Sequence, residues 1–187
     1  MKFEFETQRL IIREYCKKDI DDFIRVTSQE SVKATTYGIP ENYTKYYAKK
    51  WFKYLKQSIK TMEGYEFGMF LKEGNIYIGN VGLINVSMLH NHADITYYVD
   101  ENYRNRGYSA EAAEVMLKLG FEHFGFEKIS GLCMSINPAS RRVMGKLGMK
   151  YEGTMRNELL KGGIYYDIER YSLLKNEYIT NSKVEIG

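Results

Sequence analysis

Proline and cysteine are scarce in this chain, with 2 of each among 187 residues, and no strong charge of one sign is present. With 16 glycines, 44% hydrophobic and 27% charged residues, so little proline excludes a collagen-like repeat, and the apolar content excludes a disordered chain. Cys16 and Cys133 supply neither metal-ligand spacing nor a disulfide framework, and read most simply as two buried or half-buried thiols in a reducing compartment. No stretch approaches the ~18 consecutive apolar residues of a spanning helix, and Glu4 and Glu6 stand where a signal peptide needs an apolar run, so the cytoplasm is the expected compartment and no membrane partner is expected. The 27 Lys and Arg against 24 Asp and Glu leave a net charge of +3, with the two signs interleaved, so no direct nucleic-acid role is expected. What the chain has in excess is tyrosine, 17 in all. Most sit at strand or helix-face spacing, where packing is their expected use.

The length fits one domain with a sizeable core. Residues 7–13 read as a first strand, and Ile20, Phe23 and Ile24 lie at helical spacing in residues 17–27. A second helix is expected over 43–61, with Tyr47, Trp51, Tyr54, Leu55 and Ile59 as a stripe against the core. Residues 66–72 and 76–85 form a hairpin around Glu73-Gly74-Asn75, and 93–99 is a further strand. The clearest helix runs over 109–124, its apolar stripe including Ala113, Met116, Leu117, Phe121 and Phe124. Then come a strand over 129–136, a short helix from Pro138 to about Leu147 capped by Asn137 and stopped at Gly148, and a last hairpin of 151–159 and 165–174. The expected fold is α+β: one domain over 1–175 with a central mixed, mostly antiparallel sheet flanked by helices, and a polar tail over 176–187.

The segment Arg104-Asn105-Arg106-Gly107-Tyr108-Ser109 carries the most chemistry. A glycine-containing turn feeding a helix leaves several backbone N–H groups without intrahelical partners, backed by the positive end of the helix dipole. That arrangement suits a phosphate, and Arg104 and Arg106 add charge for a pyrophosphate or a ribose phosphate.

In context this segment is one of four. The opening T-Q-R-L-I-I-R-E, the strand I-G-N-V-G-L over 78–83, the R-x-x-G-x-S turn over 104–109 and N-P-A-S-R-R-V-M-G-K-L-G-M-K-Y-E-G over 137–153 stand in one order. Together they resemble the GCN5-related N-acetyltransferase superfamily, and within it the RimJ/RimL type, which acetylates protein N-termini and related amines. The resemblance spans about residues 7–174. It implies acetyl-CoA as co-substrate, with Arg104, Asn105, Arg106, Gly107, Tyr108 and Ser109 as the pyrophosphate loop. Tyr98 and Val99 correspond to the backbone that pairs with the pantetheine arm, Asn137 to a side chain that contacts the cofactor, and Ser140 to a residue near the sulfur. It implies direct transfer to a primary amine, with a protein or peptide N-terminus, a ribosomal one included, ahead of an antibiotic, polyamine or small metabolite amine.

Amine attack on a thioester requires a proton acceptor, an oxyanion donor and a proton for the departing thiolate. Asp94 occupies the place where the family often has a glutamate and is the expected base, acting through a water. The position where many relatives carry a proton-donating tyrosine falls on Met144, which leaves Ser140, a water or Tyr151 as the acid. His90, His92 and Asp94 alternate by two, but a single strand rarely supplies a whole metal site, and no metal is expected. Residues 33–46 and 158–167 are the expected acceptor walls. The other classes open at this level are a catalytically silent acyl-CoA-binding or ribosome-associated module and an RNA-binding domain; a homo-oligomer is compatible with the sequence.

Overall fold

The structure, a computed structural model, describes residues 3–36, 38–40 and 43–184. In chain order it forms β1 (Glu4–Glu6), β2 (Leu10–Arg13), a 3-10 turn (Lys17–Asp19) leading into α1 (Ile20–Thr27), α2 (Glu30–Lys33), α3 (Lys45–Thr61), β3 (Tyr65–Leu71), β4 (Tyr77–Ser87) and β5 (His92–Val99). There follow α4 (Tyr108–Lys118) extended by a π-helical turn (Leu119–His123), β6 (Lys128–Met134), α5 (Pro138–Lys146), β7 (Lys150–Lys161), β8 (Ile164–Leu174) and α6 (Lys175–Val184). The strands make one sheet in the order β1-β2-β3-β4-β5-β6-β8-β7. Every neighbouring pair is antiparallel except β5 and β6, so the sheet is mixed and mostly antiparallel, as the sequence implies.

Period-two alternation divides the sheet between two cores. In β3, Tyr65, Phe67 and Met69 face the larger core, beneath α4 and α5, with Leu83, Ile95, Met116 and Ile129. Phe70 faces the other, where Tyr15, Phe23, Phe52, Leu55 and Tyr77 pack beneath α1 and α3. Glu66 shares the Phe70 face by the same alternation, a carboxylate in a strand whose neighbours are apolar.

Helix α3 starts where Thr44 Oγ1 accepts from the Tyr47 amide and stops at Met62, whose left-handed φ of 58° ends the helical run. Its buried stripe is Ala48, Phe52, Leu55 and Ser58, not the expected Tyr47, Trp51 and Tyr54. Tyr47 and Tyr54 are exposed, and Trp51, half-buried, stacks on Tyr54. The smaller Ala48 lets the helix approach the sheet, so the aromatic stripe is displaced to the rim. Residues 175–184 are helical, against the expected tail, because Tyr178 stacks on Phe121 and Glu177 accepts from the Leu174 amide while pairing with Lys150. Residues 185–187 of that expected tail lie outside the described residues.

The sheet opens in the middle. Parallel pairing of β5 with β6 runs only from His92–Lys128 to Ile95–Gly131. Beyond it, Tyr97–Val99 pair with β4 alone and Leu132–Met134 with β8 alone. At the fork Gly131 has no side chain, and the Met144 sulfur of α5 lies 2.7 Å from where a Cβ would stand, filling its place from above.

Candidate active site

The fork widens into a cavity of about 710 Å³. Thr96–Val99 of β5 border it, with backbone groups on the β6 side free of strand partners. Tyr98 and Val99 are therefore where a ligand arm can continue the sheet, as the resemblance implies.

At one end stands the turn into α4. Asn105 and Gly107 adopt left-handed φ of 60° and 82°, and Gly107 occupies the cap position before Tyr108, leaving the first N–H groups of the helix pointing outward. Arg104, Asn105, Gly107, Tyr108 and Ser109 line the cavity, as does Asn137; Arg106 is not among the lining residues. Its carbonyl accepts from Arg9 Nη1 at 2.8 Å and its guanidinium lies over the Tyr103 ring. Arg9 holds the turn in shape: it also binds Glu111 through Nε at 2.7 Å and lies over the Tyr108 ring at 4.4 Å. Thr7 Oγ1 donates to the same Glu111 at 2.5 Å. Burial works against the Glu111 charge, but the bonds from Thr7 and Arg9 outweigh it and hold the carboxyl below its ordinary range. The T-Q-R-L opening thus acts by bracing the turn into α4 from a neighbouring strand. Sequence reasoning missed two cations from α5, Arg142 and Lys146, that also line the cavity; their spacing of four places them on one helix face, a signal available in the sequence.

Near the fork, Asn137 Oδ1 accepts from the Ser140 amide at 3.2 Å, capping α5. Ser140 Oγ lies 2.9 Å from the Tyr97 hydroxyl, which also donates to the Ser140 carbonyl. Burial raises the Tyr97 phenol above its ordinary value, so it stays protonated at neutral pH. Cys133 lines the cavity as well, but burial first, then the nearby Glu169 charge, push its thiol up to about 11, which leaves almost no thiolate. Met144, 1% exposed, is a wall residue.

Besides Arg106, two side chains expected at the reacting centre are placed elsewhere. Asp94 is buried with its Oδ2 accepting from Asn85 Nδ2 at 2.9 Å, and it does not line the cavity. Tyr151 is exposed, hydrogen-bonded to Thr154, and also outside the lining. In both cases the strand registers set which side chains reach the fork, and sequence spacing does not give the register.

The opposite end of the cavity has another character. Phe23, Ile39, Tyr43 and Trp51 form apolar walls, while Glu66 and Asn80 present polar atoms. Of the segment 33–46, residues 35, 36, 38, 39 and 43 line the cavity; 37, 41 and 42 lie outside the described residues. None of 158–167 lines the cavity. That hairpin acts from behind: the Lys161 ammonium donates to the carbonyls of Lys33 and Thr36, fastening the wall to β7. No group of three or more His, Cys, Asp or Glu is arranged to hold a metal among the described residues.

The acetyltransferase (GNAT) domain profile matches residues 9–150 of this chain. The uncharacterized N-acetyltransferase YnaD of Bacillus subtilis (strain 168) is 31% identical over 173 residues, covering 92% of this chain and 97% of that protein. A GNAT-family acetyltransferase structure from Bacillus anthracis is similar at 28% identity and TM-score 0.79, covering 94% of this chain and 100% of that one. The structure of RimL, a ribosomal L7/L12 alpha-N-protein acetyltransferase in complex with coenzyme A, aligns at TM-score 0.86 over 94% of this chain and 99% of that one; at 13% identity that likeness is one of fold.

Proposed function

This chain belongs to the acetyltransferase (GNAT) family, an acyltransferase family that uses acetyl-CoA for N-acetylation, and from that premise we propose that its acceptor is a protein or peptide N-terminal α-amine. The observation that carries this reading is the polarity of one continuous cavity: backbone N–H groups and Arg104 at one end, Glu66, the one carboxyl among the described lining residues, beside aromatic walls at the other, and an unpaired strand edge between them, with the cations Arg142 and Lys146 also in the lining. The first end suits the phosphates of the donor, the edge its pantetheine amides, and the last a cationic amine of modest size. The RimL likeness supports the α-amine as acceptor by analogy of fold.

Tyr97 and Ser140 supply the proton that the departing thiolate requires. Their hydroxyls form a hydrogen-bonded pair beside the fork, and burial keeps the phenol protonated, so a proton is held where the thiolate departs. This pair replaces the tyrosine absent at position 144. The reaction needs no acyl-enzyme, in keeping with the protonated Cys133. We place the activity in the cytoplasm, since nothing in its chemistry requires an oxidising compartment.

The test is release of free CoA thiol from acetyl-CoA with a panel of peptides bearing free N-termini, diamines and aminoglycosides. Turnover on peptides that is abolished by prior N-acetylation supports the reading. Turnover on diamines or aminoglycosides alone would replace it with small-molecule acetylation, and no turnover on any amine would leave a silent acyl-CoA-binding module.

A further inference from the structure

On the acceptor side of the cavity one buried acceptor lacks a donor and one carboxyl lacks a cation among the described residues. Asn80 is 1% exposed; its Nδ2 donates to the Tyr15 hydroxyl at 3.0 Å, yet its Oδ1 has no donor among the described residues. A buried acceptor left unpaired costs free energy unless a ligand or water completes it. Glu66 is half-buried on the neighbouring strand, and no cation among the described residues pairs with it. The two lie on the same face of the sheet, in adjacent rows: Glu66 is opposite Gly82, and Asn80 is opposite Gly68. Gly82 itself pairs with Thr96 of β5, so the row from Glu66 to the fork has no side chain in its middle position. A Cβ at Gly82 would stand 2.6 Å from both Glu66 Cγ and the Tyr65 carbonyl oxygen, so glycine there lets β3 and the stem of Glu66 lie close against β4.

We propose that Glu66 and Asn80 Oδ1 form the subsite that receives the acceptor's ammonium group, with Glu66 taking its first proton, and that this subsite selects weakly basic α-amines over strongly basic side-chain or polyamine nitrogens. The inference rests on the acetyltransferase reading above. An ammonium carries donors both for Asn80 Oδ1 and for the Glu66 carboxyl beside it, and the aromatic walls of Phe23, Tyr43 and Trp51 favour a cation over a neutral guest. One N–H proton passes to the Glu66 carboxylate, giving the carboxylic acid and a neutral amine. The nitrogen lone pair attacks the thioester carbonyl carbon, the C–S bond breaks, the thiolate takes a proton from the Tyr97–Ser140 hydroxyl pair, and the second N–H proton, lost as the amide forms, restores that pair. The products are the amide, CoA thiol and one proton, which Glu66 returns to water.

Selectivity follows from proton affinity. Burial pushes Glu66 up to about 7, with the Asn80 amide acting the other way. The titratable groups that face it are the phenols of Tyr15, Tyr43 and Tyr98, all raised by burial and neutral at working pH, and Glu14 and Lys56 across a small recess. Proton transfer from an α-ammonium at ~7.7–8.0 to such a carboxyl is uphill by roughly tenfold, whereas from an alkyl ammonium at ~10.4 it is uphill by more than ~10³-fold. A buried carboxylate is thus a competent base for the first class and a poor one for the second.

The experiment compares parent, Glu66→Gln and Glu66→Asp, each confirmed folded by its melting curve. The first readout is calorimetric binding of an alanyl tetrapeptide, and of its N-acetylated form, to protein saturated with CoA. Glu66→Gln should weaken the free peptide by at least about tenfold and leave CoA affinity and the acetylated peptide unchanged. The second is kcat/KM for the same peptide and for 1,4-diaminobutane from pH 6.5 to 9. Glu66→Gln should lose roughly 10²-fold near pH 7, the loss shrinking as pH passes the amine's own value, with partial recovery in Glu66→Asp. Binding unchanged, or rates within threefold of the parent at every pH, would overturn the subsite while leaving the enzymatic reading intact. A parent that prefers the diamine would overturn the selectivity, and one that releases no thiol with any amine would overturn both.

Discussion

Replacing Asp100 by asparagine keeps the shape of a wholly buried side chain and reverses one of its two hydrogen-bonding ends. Asp100 Oδ2 accepts from Arg25 Nη1 at 2.6 Å, and Oδ1 accepts from Gln29 Nε2 at 2.9 Å and from the Asn102 amide at 3.0 Å. An asparagine oxygen can keep the second set, but its NH₂ then faces the Arg25 guanidinium, donor against donor. A hydrogen bond to a charged group is worth ~1.5–3 kcal/mol. Because the Arg25 side chain is 44% exposed, solvent screens the Coulomb part, and about 2 kcal/mol is the expected cost. For a chain of this size that lowers Tm by roughly 4–8 °C. The folded carboxyl titrates below its ordinary range: burial opposes its charge, but the bonds from Gln29, Arg25 and the Asn102 amide outweigh it. The stabilisation is therefore complete above the unfolded-state value of ~3.9 and is lost as pH falls through the lower folded value. Urea unfolding of parent and variant should show a constant difference from about pH 8 to pH 5 that narrows below ~4, with equal denaturant slopes. A difference under about 0.5 kcal/mol at pH 7, within the range of ordinary surface substitutions, would refute the energetic role of this network. A difference at pH 3 as large as at pH 7 would refute its electrostatic origin.

Gly107→Asp should weaken CoA at least tenfold in a calorimetric titration, since it adds a negative charge and a side chain where the backbone holds a φ of 82°; unchanged affinity in the folded variant would remove the phosphate turn. Tyr97→Phe should lower kcat by roughly 10²-fold with CoA affinity within threefold, and a rate within threefold would pass the acid role to water or to Ser140 alone. Asp94→Asn should leave kcat/KM within threefold across pH 6.5–9, because its carboxylate is engaged by Asn85 and does not line the cavity; a hundredfold loss would restore it as the base. Met144→Leu, nearly conserving volume in a wall residue, should cost under ~1.5 kcal/mol and leave turnover within a few fold.

Local patterns in the sequence were sufficient for most of the elements and for the turn into α4. The stripe of α4, the Asn137-Pro138 start of α5 and the glycine turn at 104–109 are signals of a few residues, each with its own backbone reason, and all three stand where those reasons place them. The helical C-terminal segment was not legible, because its order comes from Tyr178 stacking on Phe121, more than fifty residues away in the chain. Nor was the buried side of α3, where Ala48 and Phe52 won over the larger aromatic stripe through contact with the sheet. The acceptor end depended wholly on register. That Glu66 lines the cavity and Asp94 does not is decided by which residues pair across β3, β4 and β5 and by the end of β5–β6 pairing at Ile95 and Gly131. Side chains alternate with a period of two, so a shift of one residue exchanges the faces. The sequence placed a carboxylate inside the apolar strand Tyr65-Glu66-Phe67; only the packed sheet made that carboxylate the floor of a cavity.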